Sequence, residues 1–152
     1  MSQTIKNLET AFAGESQAYT KYMYFATLAD KMGQFEVADH FYATAEQELK
    51  HAHSHLNLLI GEPEILEMLQ MAIDGETYEY TTMYPEMFKQ AMEEGRLFDA
   101  QEARHQIEES KLHAEDFRNL LELAAKRFDA LARIERKHAG SFEQIREAAN
   151  DE

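Results

Sequence analysis

Apolar residues recur at intervals of three and four along most of the chain, the spacing of amphipathic helices rather than strands. Leu8, Ala11, Phe12, Tyr19, Tyr22, Ala26 and Ala29 form one such stripe. It predicts a first helix over about 4–32, capped by Ser2 or Thr4 and ended by Gly33. Phe41, Ala45, Ala52, Leu56 and Leu59 form a second stripe, on a helix over about 35–60 that stops at Gly61-Glu62-Pro63. Leu66, Leu69, Ala72, Met83 and Met87 form a third, on a helix from about 64 to 94 that Gly95 ends. Pro85 predicts a kink there, because it lacks a backbone donor and its ring crowds the preceding turn. From Arg96 to Ala139 there is no glycine or proline, so this stretch reads either as one very long helix or as two joined by a turn near 117–126. The expected fold class is all-α, in a single domain over 1–152. Its helical hairpins span about 4–60 and 64–122, with 123–149 as an additional C-terminal helix or an extension of the fourth.

Charged residues interrupt these stripes at particular places. Glu15 lies on the first, Glu48 on the second, and Glu76 and Glu79 on the third. A carboxylate on the core side of a helix is costly unless something pairs with it. His51 follows Glu48 by three residues, which puts both side chains on one face. A hard cation is the partner such a pair suits, with imidazole as the second ligand.

An internal repeat organises the pattern. Ala11-Phe12-Ala13-Gly14-Glu15 and Tyr19-Thr20 recur 61 positions on as Ala72-Ile73-Asp74-Gly75-Glu76 and Tyr80-Thr81. Glu46 to Ala52 recurs 62 positions on as Glu108 to Ala114. The chain reads as a duplicated helical hairpin.

Composition narrows the function. The net charge of −14 argues against nucleic acid and anionic membranes as partners. The absence of cysteine excludes disulfides, zinc–thiolate sites, iron–sulfur clusters and thiol chemistry. No apolar run approaches the ~18 residues of a membrane-spanning helix, and nothing reads as a signal peptide, so the expected location is cytoplasmic.

Single glutamates from two helices and Glu-x-x-His from two others make up the dinuclear carboxylate site of a four-helix bundle. Several carboxylates neutralise and bridge two divalent ions, and imidazole completes coordination without adding charge. Gly14-Glu15-Ser16-Gln17-Ala18, Glu48-x-x-His51-Ala52 and the run from Gly75 through Glu76, Glu79 and Tyr84 to Pro85 resemble rubrerythrins over residues 5 to about 122. The resemblance implies a ferritin-like four-helix bundle with two iron ions. It gives Glu15, Glu48, His51, Glu76 and Glu79 as iron ligands, and Tyr22 and Tyr84 as tyrosines that hydrogen-bond the ligating carboxylates. Manganese or a mixed pair suits the same ligands. It implies a non-haem di-iron peroxidase serving oxidative-stress defence, reducing hydrogen peroxide to water with electrons from an external donor protein such as a rubredoxin. The alternative is a ferritin-like iron-binding or ferroxidase module acting on dioxygen without peroxidase turnover, and a metal-free structural bundle is a third reading. A homodimer is expected, with exchanged helical hairpins as one form of it.

The sequence departs from the family in two places. These 152 residues hold no cysteine, so the expected form is one without the cysteine-bearing rubredoxin domain usual in rubrerythrins. The second Glu-x-x-His should begin at residue 110, which is serine, although His113 is in place. At an offset of 25 residues, close to seven whole turns, Glu135 and His138 repeat the motif within a segment that again resembles the family. Three readings are open: Glu135 and His138 complete the site, Glu109 reaches in with His113, or the site is incomplete. The remaining histidines, His40, His53, His55 and His105, read as solvated or satisfied polar residues.

Overall fold

The computed structural model describes residues 2–150, with side chains through residue 138. It is helical throughout, with no strand among the described residues. Helix α1 spans Gln3–Lys31 and α2 spans Phe35–Ile60. Helix α3 spans Ile65–Tyr78, continues through a π-helical turn over Glu79–Met83, and resumes as α4 over Tyr84–Glu93. Helix α5 spans Leu97–Asn150. The chain forms two compact units, Met1–Pro63 and Glu64–Glu152.

In the first unit α1 and α2 form a hairpin. The Ser2 hydroxyl accepts from the Ile5 N–H at 3.3 Å, so Ser2 rather than Thr4 caps α1. Gly33 ends the helix at φ 71°, where a side chain would be strained. The Gly33 and Gln34 N–H groups bond back to the Asp30 and Ala29 carbonyls, both at 2.9 Å. Ala26 and Ala29 on α1 are buried, as are Ala38, Ala45 and Ala52 on α2. These small residues let the two backbones approach closely. Phe41 is flanked by Tyr22 and Phe25, with ring centroids 5.9 and 5.6 Å away.

In the second unit α3, the π turn and α4 pack along α5. The Glu67 carboxylate accepts from the Glu64 N–H at 2.9 Å and fixes the start of α3. Ile73 and Ala91 are buried, as are Ala100, Ala103, Ser110 and Ala114 on α5. Met87, expected on the inner face, is 53% exposed.

Two features differ from the sequence reading. The disturbance at Pro85 takes the form of a π turn just before it, in which the Tyr84 N–H bonds to the Glu79 carbonyl five residues back. Pro85 sits in the first turn of α4, just past the π turn, which widens the helix immediately ahead of the proline ring. The break near 117–126 is absent: α5 runs through it as one helix. The stretch holds Leu120, Leu121, Leu123, Ala124, Ala125 and Lys126, all good helix formers, and nothing in it stops propagation. Residues 123–149 extend α5 rather than forming a separate helix.

Candidate metal centre

The first unit carries one cluster. Glu15 sits halfway along α1, and Glu48 and His51 share a face of α2. His51 Nδ1 lies 3.2 Å from Glu48 Oε2 and 3.9 Å from Glu15 Oε1. One ligand atom from each of the three residues falls within 4.8 Å of the other two, close enough to converge on one cation. Glu48 is the most enclosed, with 19% of its side chain accessible, against 59% for His51.

The two carboxylates are close enough to share a proton. The hydrogen bond with Glu48 raises Glu15 above the ordinary carboxyl value, with burial and the Glu48 charge acting the same way. The same bond lowers Glu48, helped by His51. A dication would take the place of that shared proton.

His55 lies one turn beyond His51 on α2. Its charge opposes the rise at Glu15, so it stands within electrostatic reach of that carboxyl. Its Nδ1 is shielded from solvent and has no hydrogen-bond partner. The sequence reading gave His55 as solvated or satisfied, and at Nδ1 it is neither. Its position four residues after His51 was the signal available in the sequence.

The second unit carries the other cluster. Glu76 lies on α3, Glu79 opens the π turn, and Ser110 and His113 lie one turn apart on α5. His113 Nδ1 is 3.4 Å from Glu76 Oε2. That oxygen is shielded from solvent and accepts no hydrogen bond. Ser110 is 3% exposed, and its hydroxyl donates to Glu79 Oε2 at 2.8 Å. Residue 110 therefore faces the carboxylates, as the repeat requires, but presents a donor where the motif has an acceptor.

Burial raises the Tyr84 phenol, and the charges of Glu79 and Glu76 add to the effect. Tyr84 thus keeps its proton beside these carboxylates. On the other side of the π turn, hydrogen bonding from Arg118 lowers Tyr80. Arg118 also donates to the Thr77 hydroxyl at 2.9 Å.

The other predicted residues are placed differently. Tyr22 packs its ring on Phe41, and among the described residues no hydrogen bond joins its hydroxyl to Glu15 or Glu48. Glu109 pairs with His105 at 3.5 Å on α5, half-exposed, and its charge also reaches Tyr84. Glu135 and His138 are exposed, ~37 Å along α5 from Ser110 and His113 at 1.5 Å per residue. The continuity of α5 keeps them from Glu76 and Glu79 of the same unit.

The donor chemistry of both clusters fits divalent iron or manganese: carboxylates with imidazole, and no thiolate. The shielded, unbonded Glu76 oxygen is one that a cation would satisfy. These features, on an all-α scaffold of duplicated hairpins, define a ferritin-like carboxylate protein. The family model described as Rubrerythrin matches residues 6–121. The chain belongs to the rubrerythrin family. It is 41% identical to rubrerythrin from Nitratidesulfovibrio vulgaris, in a match covering 62% of this chain and 56% of that protein. It is 32% identical to rubrerythrin-1 from Clostridium acetobutylicum, over 76% of each chain. The fully reduced, all-ferrous structure of nigerythrin aligns at 29% identity with a TM-score of 0.40, covering 80% of this chain and 67% of that one. The chain spans little more than half the length of the rubrerythrins from N. vulgaris and Porphyromonas gingivalis. No described helix is long and apolar enough to cross a membrane.

Proposed function

We propose that both clusters serve a di-iron centre and that the chain works as a rubrerythrin-type peroxidase. The carrying observation is the convergence of Glu15, Glu48 and His51 within 4.8 Å in a chain of this family. Bound ferrous iron would supply the two electrons that reduce hydrogen peroxide to water, and an external donor protein such as a rubredoxin would restore them.

The chain's own residues have definite tasks in this reading. Glu15, Glu48, Glu76 and Glu79 provide four negative charges, which match two dications. His51 and His113 add neutral donors, and their exposed edges leave room for a small oxidant to approach. Tyr84, held in its protonated form, can donate a hydrogen bond to a carboxylate oxygen beside it.

The test is iron content and peroxide consumption in anaerobically iron-loaded protein. Glu48→Ala and Glu76→Ala should each lose iron and rate together, and a variant that kept both would sink the reading. A protein that instead oxidises ferrous iron with dioxygen over many turnovers, and retains the mineral, would be a ferroxidase.

The partner in assembly is a second copy of the chain. Among the described residues no large side chain is fully buried, and Tyr24, Leu58 and Phe98 are well exposed. A 152-residue chain with so little sealed core needs further apolar cover. We expect a homodimer, with exchange of helical hairpins as a route to it across the short connection at Gly61–Glu64. Light scattering that shows only monomer would refute this. The proposed location is cytoplasmic.

A further inference from the structure

The two clusters carry equal formal charge, two glutamates and one histidine each, yet they differ in what surrounds those ligands. In the first, the donor atoms of Glu15, Glu48 and His51 already converge. His55 lies outside that 4.8 Å group but one turn from His51 on the same face of α2, and its shielded Nδ1 has no hydrogen-bond partner to hold it away from a cation. In the second, the position equivalent to Glu48 is Ser110, and its hydroxyl donates to Glu79 Oε2 at 2.8 Å. A cation that uses this oxygen must compete with that hydrogen bond. Serine supplies no charge and no second oxygen with which to bridge. The shielded Glu76 oxygen accepts no hydrogen bond and faces His113 Nδ1 at 3.4 Å, so both atoms are free to turn to a cation.

We propose that the clusters are unequal cation sites: Glu15, Glu48, His51 and His55 hold one divalent ion tightly, and Glu76, Glu79 and His113, with serine at 110, hold a second weakly. This rests on the metal-centre reading above and deepens it. The tight position is a two-glutamate, two-histidine set carried by one hairpin. The weak position exchanges its ion with solution. At limiting metal the chain therefore holds one ion rather than a mixture of empty and doubly filled molecules.

The experiment is anaerobic calorimetric titration of the metal-free full-length chain with Mn2+ and then with Fe2+. The wild type should show two binding classes separated by at least about tenfold in Kd. Ser110→Glu should tighten the weak class by about tenfold or more and leave the tight class in place, since it adds a carboxylate to the second cluster alone. Ser110→Ala should not weaken the weak class, because the hydroxyl competes with the cation rather than ligating it. His55→Leu should weaken the tight class by about tenfold and spare the other. Two classes of equal affinity in the wild type would overturn the proposal, whether or not the variants fold. So would a tight class untouched by His55→Leu, or a weak class lost in Ser110→Ala. Absence of binding to any form would bring down the metal-centre reading itself, a different result from equal affinities.

Discussion

Replacing Glu48 by glutamine isolates the contribution of one carboxylate with little change of shape. Glu48 lies 3.2 Å from His51 and has a carboxylate oxygen within 4.8 Å of Glu15, so it stands beside both other members of its cluster. Without its charge, Glu15 and His51 remain 3.9 Å apart with one negative charge instead of two. Loss of a ligand should weaken cation binding by at least the ~100-fold upper end known for loss of a supporting group. With free metal at a hundred times the wild-type Kd, binding stabilises the wild type by about 2.7 kcal/mol. At the same concentration a site weakened about 100-fold gives about 0.4 kcal/mol. At about 2–4 °C per kcal/mol for a chain of this size, the metal-induced rise in melting temperature falls from about 5–11 °C to about 1–2 °C. The assay is thermal unfolding followed by circular dichroism, with Mn2+ and with chelator. A variant that keeps the full metal-induced rise would refute the ligand role. Equal destabilisation with and without metal would make the role structural.

Ser110→Ala removes a buried donor from a charged acceptor and should lower metal-free stability by about 1–2 kcal/mol, read from urea unfolding. Ala45→Leu should destabilise by about 1–3 kcal/mol through overpacking, because Ala45 is fully buried where α1 and α2 meet. Arg118→Gln should return the Tyr80 phenol toward its ordinary value of 10.0, seen as a phenolate absorbance step that moves to higher pH. Tyr80 is depressed in the fold, so its stabilising effect is fully present only above that ordinary value. It is lost as pH falls through the lowered one, and the variant should differ most from wild type at alkaline pH.

Most of the helix ends were legible because glycine marks them: Gly33, Gly61 and Gly95 all adopt positive φ. The inward glutamates were legible because a carboxylate on an apolar stripe breaks the pattern. Three things were not. Continuity of α5 could not be separated from a break, since local propensity favours helix on either reading and only packing along α3 and α4 decides where the fourth rod lies. The competition between Ser110-His113 and Glu135-His138 had the same root: motif quality favoured the later pair, and a helix rising ~1.5 Å per residue sets it ~37 Å along α5 from Ser110 and His113. His55 was passed over because imidazole is usually solvated, and its enclosure depends on neighbours that the α2 sequence does not name.

The π turn at Glu79–Met83 also bears on how the two halves of the chain diverged. Matching residues are 61 apart through Thr20 and Thr81, but 62 apart from Gly33 and Gly95 onward. The copies therefore differ by a single residue, and the difference falls between Thr81 and Gly95, a stretch that begins inside the π turn. Bonding to the fifth residue rather than the fourth takes up one residue locally. Had a plain α-helix absorbed it, every later side chain would have been carried round the axis by about 100°. The wide turn confines that shift to five residues. Its first residue, Glu79, stands where the other copy has Ala18, so one loop-out accompanies both the tolerance of Pro85 and a carboxylate that the first hairpin lacks at that position. The half that has serine at 110 is the half that carries an additional glutamate, at 79.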